Sequence, residues 1–450
     1  MPPQTTTMSV MVVRRTYGTG FVLGLLCLGA GNPLCAQDDL RDVVTLHHGQ
    51  QVRGRIYEAF EPDEVTLLQG RQRVRVDRSQ IASIQSIREE AREFFARHDR
   101  LQGNDRYRWW LAEWAESRGL HALARLQAMD VVLHEPDHEA ARAMLGHRRR
   151  GKNWLWPRKD QWFTLAEYEA YCAEWGHAFV LEGEHFVVQT NGSLRAAIGT
   201  VFDLERLYVW WFDTFGKPLH LREVVDPKML VQVWRDREHF PAWSSIVQPY
   251  FKPRVDVAGT TEQSTSYTFF ENNSAPRATR LFEVAVQHLL YRTVADDPPF
   301  PTQKERLCAW GEVGLGQYVD RLFQGPPGHA EPQPWRMTLE EGRLVLAERS
   351  YGLEILTHRQ ARQFFVTVAD NTPLDWASAH LFVAYLMDKD RQPALRDAFL
   401  QFLFEALRIG KGESSSAFDK ELGRKVETLE QPWRHWIEGE VQKLLARPGG

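Results

Sequence analysis

Along residues 43–84 apolar and polar positions alternate in short runs: Val43–Leu46, Gln51–Tyr57, Glu64–Leu68, Gln72–Val76 and Ile81–Ile84. His48-Gly49, Glu61-Pro62-Asp63 and Gln69-Gly70 fall between them as turn signals. A period of two with this spacing predicts a small antiparallel β-barrel over residues 37–86. Arg71, Arg73, Arg75 and Arg78 then lie on the solvent side of the strands. The period changes at about residue 87. Arg106–Arg118, Leu120–Leu133 and His138–Leu145 read as a helix series within a region spanning 87–159, with Asp137 starting a helix after Pro136. The basic run His147–Lys152, leading to Trp154–Pro157, reads as an exposed connector.

From residue 160 the pattern mixes both periods. A helix at Thr164–Glu174 precedes a hairpin of His177–Leu181 and His185–Gln189. A long helix covers Ser193–Phe215, and Leu219–Val225, Met229–Trp234 and Thr265–Phe270 read as strands, with a short helix near Arg237–Trp243. Two helices follow at about Arg277–Val294 and Leu307–Phe323. The loop Gly325–Pro334 divides this 160–330 domain from a helical subdomain, 331–450, with helices at Trp376–Met387, Pro393–Ile409 and Gln431–Leu445. The elements together predict an α+β fold: a mixed sheet plus a helical subdomain, preceded by a small barrel and a helical hairpin.

The first 36 residues carry Arg14 and Arg15, the apolar run Phe21–Leu28, and Leu34-Cys35-Ala36 before Gln37. That is the layout of a secretory signal peptide cleaved near Ala36, and the apolar run is too short for a membrane span. The expected compartment is periplasmic or extracellular. Without residues 1–36 the chain loses two arginines and no acid, so its net charge moves from −4 to −6. A mildly acidic chain of this kind argues against nucleic acid as a partner. Cys172 and Cys308 are the cysteines left; pairing and two buried thiols both remain open.

Most familiar catalytic patterns are absent. There is no P-loop, G-x-S-x-G, C-x-x-C or dinucleotide-binding glycine pattern. His134-Glu-Pro-Asp-His138 has the letters of H-E-x-x-H, but Pro136 breaks the helix that would align the two histidines, so the segment reads as a turn.

Chemistry concentrates instead in Leu281–Leu290 (LFEVAVQHLL) and Trp310–Val319 (WGEVGLGQYV). Their layout resembles the active site of gluzincin peptidases, in which H-E-x-x-H on one helix supplies two zinc ligands and a general base. A third ligand, often Glu, comes from a second helix. By that resemblance Glu283 sits at the general-base position. Phe282 and Val286 stand at the two histidine positions, and Val313 at the third ligand. Glu312 is one residue, about 100°, out of register. His288 lies two residues beyond Val286, about 200° around the helix. The order of elements over residues 177–440, with His185–Asn191, Asp203–Tyr208, Val231–Phe240, Ala379–Leu386 and Phe418–Gly423, is similar to bacterial peptidase-MA-like proteins. This implies a thermolysin-like fold with a cleft between sheet and helical subdomain. The strand region resembles SH3- or Sm-like modules, and Leu120–Gly146 resembles a tetratricopeptide-like hairpin.

Phe and Val cannot donate to Zn²⁺. The leading expectation is an exported non-catalytic relative of a zinc peptidase, without a cofactor, binding a peptide or protein. Two other readings stay open. One is a metallopeptidase with a non-standard zinc site made of Glu283, His288 and Glu312. The other is a purely structural envelope protein.

Overall fold

The computed structural model describes residues 41–100, 105–225, 227–240, 259–262, 265–271, 277–294, 308–359, 372–388, 392–409 and 414–446. The expected signal peptide and the end of the helix expected near Arg237–Trp243 lie outside them. Residues 39–450 form one compact unit of α+β class. Among the described residues no helix is long and apolar enough to cross a membrane.

Strands β1 (Asp42–Leu46), β2 (Gln51–Glu58), β3 (Glu64–Gln69), β4 (Gln72–Asp77) and β5 (Ile81–Gln85) form an antiparallel sheet in the order β4-β3-β2-β1-β5. It closes over its own core of Val44, Leu46, Ile56, Val65, Leu67 and Val76. Alternation puts Arg71, Arg73 and Arg75 in solvent, while Arg78 turns back to donate to the carbonyls of Glu61 and Ala59. Gly54 is required in β2, because a Cβ there would stand 2.7 Å from the Leu68 carbonyl oxygen.

This module is built into the rest of the molecule. The buried Asp42 carboxylate accepts from the backbone N–H of Ile56 (2.6 Å) and of Ile87 (2.7 Å), joining β1 to the first turn of α1 (Ile87–Arg100). The long helix α6 (Leu194–Trp211) runs into a wider turn at Phe212–Gly216. There the Phe60 ring, from the β2–β3 loop, presses so close on Gly216 that a Cβ would lie 2.5 Å from it. The strand expected at Leu219–Val225 does not form: Leu219 ends a helical turn (Lys217–Leu219), His220 is left-handed (φ 49°), and the residues that follow do not join the main sheet. Arg222 bridges to Glu58 of β2, and the Glu223 N–H donates to the Tyr57 carbonyl (2.8 Å).

Helices α2 (Asp105–Ser117) and α3 (His121–His134) pack as a hairpin. Glu184 holds the start of α3: its carboxylate accepts from the N–H groups of Ala122 (3.0 Å) and Leu123 (3.3 Å) and pairs with Arg41 (2.5 Å). His134 ends α3 and Glu135–His138 is a turn, and α4 (Glu139–Met144) is capped by the His138 ring, which accepts from the Ala141 N–H at 3.2 Å. The cap is thus His138, one residue past the expected Asp137. The expected connector is also more ordered than its composition implies. Arg148–Arg150 (β6), Asn153–Arg158 (β7) and Gln161–Phe163 (β8) make a three-stranded antiparallel meander. Gly151 and Lys159, both at positive φ, make its two turns.

After α5 (Leu165–Cys172, with a Thr164–Glu167 capping box) comes the main sheet. Its strands are β9 (Phe179–Glu182), β10 (Phe186–Thr190), β11 (Met229–Trp234), β12 (Gly259–Glu262) and β13 (Thr265–Phe269), in the order β12-β13-β11-β10-β9. β10, β11 and β13 are parallel, and β9 and β12 are antiparallel edges. The cross-sheet row Leu181–Val188–Val231–Ser266 is buried throughout, and α7 (Leu281–Val294) covers its Ser266 end. α8 (Ala309–Leu322) packs on α7 and then on α11 (Thr372–Leu386). The remaining helices are α9 (Leu339–Ala347), α10 (Leu353–His358), α12 (Pro393–Ile409), α13 (Ser414–Leu422) and α14 (Glu430–Leu445). Cys172 and Cys308 are buried free thiols, not a disulfide.

Candidate functional site

The two motif segments fold as the adjacent helices α7 and α8. Phe282, Val286 and Val313 are each at most 1 % exposed and belong to one continuous hydrophobic core. The Phe282 ring packs against Phe323 (centroids 4.7 Å) and lies under the Arg277 guanidinium (5.2 Å). The N-terminus of α7 is held from α8: Asp320 accepts from the Phe282 N–H at 3.0 Å. Burial raises the Asp320 carboxyl above its usual range. The glycines of the second segment answer to packing. A Cβ on Gly314 would lie 2.5 Å from the Ala379 carbonyl oxygen, and one on Gly316 would lie 3.0 Å from Glu283 Cγ.

Glu283 is buried against α8 beside Gly316. Its Oε2 accepts no hydrogen bond, and Arg280 Nη1 stands 3.6 Å away. Burial pushes this carboxyl up to about 7, opposed by Arg280 and reinforced by Asp320. His288 faces the sheet, where its Nδ1 lies 3.3 Å from the Ser266 hydroxyl of β13. Burial, with Arg292, pushes its imidazole down to about 3. Glu312 is fully buried near the Cys308 thiol, whose pKa is raised well above the usual value by burial first and then by Glu312. The donor atoms of Glu283, His288 and Glu312 do not gather within 4.8 Å of one another. One helix sends its His to the sheet and its Glu to the neighbouring helix, as their five-residue separation dictates.

A second constellation was not visible in the sequence. His98 and Asp99 end α1, and His329 lies in the loop after β14 (Phe323–Gln324); among the described residues they are the one such group whose potential ligand atoms lie within 4.8 Å. The two imidazoles stack with centroids 4.4 Å apart. Arg206 of α6 stands among them. Its guanidinium donates to both Asp99 oxygens, lies 3.1 Å from His98 Nδ1, and donates to the Gly328 carbonyl at 2.9 Å. Arg206 thus already engages both Asp99 oxygens and His98 Nδ1. Burial, aided by His329 and Arg206, pushes His98 down to about 4. Burial of Asp99 works the other way, yet hydrogen bonds from His329, His98 and Arg206 hold its carboxyl far below the usual range. A cavity of about 440 Å³ opens beside this cluster, lined also by Arg108, Gln127 and Glu331. The cluster is a polar latch between α1, α6 and the 325–330 loop. His98 and Asp99 lie more than 200 residues from His329, and no local motif announces the group.

No family model matches the chain, and no curated protein matches it at a significant level.

Proposed function

We propose that this chain is an exported, non-catalytic relative of gluzincin-type zinc peptidases that holds an extended peptide or protein segment along the edge of β12. The observation that carries the reading is the apolar, fully packed state of Phe282, Val286 and Val313 inside a fold that still presents an antiparallel edge strand above α7. Side chains that cannot ligate zinc fill the helix face that ligands would occupy. Among the described residues β12 pairs on one side with β13 and on the other with no strand. Backbone groups on such an edge can add a further strand, with affinity from the main chain and selectivity from alternate side chains.

Hydrogen exchange read by mass spectrometry, with and without a mixture of extended peptides, tests this. Slowed exchange at residues 259–262 supports strand addition. Protection confined to other segments overturns it. So does zinc-dependent hydrolysis of the peptides that disappears in Glu283→Gln.

A further inference from the structure

The meander β6-β7-β8 has two unlike faces. On one, Trp156 is buried against His147 (4.1 Å between centroids) and Tyr168 (5.8 Å), and Arg149 lies over Trp154 (5.5 Å). This face packs on α4 and α5. The register sets Arg148 opposite Leu155, Arg150 opposite Asn153 and Pro157 opposite Trp162, all on the other face. Arg148 lies 4.3 Å over the Trp162 ring. Arg148, Arg150 and Pro157 are exposed, and Leu155 and Trp162 are half-buried.

Charge sharpens the contrast. Residues 147–163 carry six cations and one acid, a net charge of +5 in a chain whose total is −4. Lys152 and Lys159 stand exposed at the two turns. Among the described residues Arg148, Arg150, Lys152 and Lys159 form no ion pair. Unpaired cations therefore frame a shallow apolar strip of Leu155, Pro157 and Trp162.

We propose that this face docks on an anionic phospholipid surface. Arg and Lys can lay their apolar stems along the strip while their heads meet phosphates, and Trp belongs at the boundary between headgroup and acyl chain. A nucleic acid fits less well, because Arg148 covers the Trp162 face on which a base would stack.

Residues 39–450 form a compact unit on their own, so the chain from Gln37 onward is the test protein. It is sedimented with vesicles of phosphatidylglycerol mixed with phosphatidylcholine, and with vesicles of phosphatidylcholine alone. The expected result is binding to the anionic vesicles only, weakened by salt. Arg148→Gln with Arg150→Gln removes two surface cations and lowers partitioning by roughly thirtyfold. Arg53→Gln with Arg71→Gln, the same charge change on the N-terminal sheet, leaves it within about threefold. Circular dichroism confirms that both pairs fold. Three results overturn the proposal: no binding to anionic vesicles, equal binding to neutral ones, or equal loss in the two variant pairs. Tighter binding to a short DNA duplex with the same sensitivity to Arg148 and Arg150 also overturns it.

Discussion

Glu283 offers a stability measurement that separates a packed residue from a working base. Its carboxyl is buried, one oxygen accepts no hydrogen bond, and its pKa stands at about 7 against 4.5 for the ordinary side chain. In the unfolded chain it ionises near 4.5, whereas in the folded chain it keeps its proton until about 7. Across that window the unfolded state binds fewer protons, so stability falls as pH rises from about 4.5 to about 7 and is level above. The full shift corresponds to about 3 kcal/mol. Glu283→Gln removes the ionisation and keeps the shape. The variant is expected to melt higher than the parent at about pH 8, by up to about 3 kcal/mol, and to approach it at about pH 4. Asp320 is present in both proteins but its charge acts on Glu283, so the comparison reports position 283 together with that interaction. The assay is a pair of thermal or denaturant unfolding curves at each pH. A variant that is less stable at both pH values would refute the reasoning, as would one whose difference from the parent does not change with pH. A difference that does not change with pH would mean a carboxyl unshifted by folding; a variant that loses more stability at about pH 8 than at about pH 4 would show Glu283 ionised and well partnered, the state a general base requires.

Two further substitutions probe the frame around it. Gly314→Ala places a methyl 2.5 Å from the Ala379 carbonyl oxygen and 2.5 Å from Val383 Cγ2, so α8 and α11 must separate; a loss of about 1–3 kcal/mol is expected in unfolding curves, and a neutral result would mean the helices do not cross so closely. Arg206→Met breaks the latch and leaves the Asp99 carboxylate without its main partner, at an expected cost of about 3 kcal/mol and with faster hydrogen exchange in residues 87–100 and 325–330; unchanged exchange in those two segments would count against a latch.

Much of the architecture was legible because periodicity reports burial. The alternation at Asp42–Leu46 reports one buried face, and the apolar run of residues 194–211 forms a helix where the pattern places it, although that helix is buried nearly all round from Ala197 to Val209. The sequence was less informative where a partner decides the outcome. Leu219–Val225 has strand-like content, but its backbone groups are taken by Tyr57, Thr293 and Tyr208, so it never enters the main sheet. The run Arg148–Arg150 reads as polar connector by composition. It becomes a strand because it pairs with Asn153–Leu155, while Trp156, packed on His147, turns one face of the meander inward. At the motif helices, the positions of Phe282, Val286 and Val313 could be read from letters alone, whereas the directions of His288 and Glu312 needed the neighbouring sheet and thiol. The His98–Asp99–His329 group was invisible, since only the docking of α1 and of the 325–330 loop on α6 brings it together.

The contact of Phe60 with Gly216 bears on how this chain can change over time. A ring from the N-terminal module occupies the space a single methyl would need on the helix turn of another module. Position 216 cannot enlarge while that ring is present, and the ring cannot be lost without leaving a hole over Phe212, on which it stacks at 6.2 Å. The module is therefore not a detachable bead that recombination can exchange for another of similar fold. A replacement would have to bring an aromatic side chain at the same place in its loop. Descendants of this arrangement should keep or lose the N-terminal sheet and the glycine at 216 together.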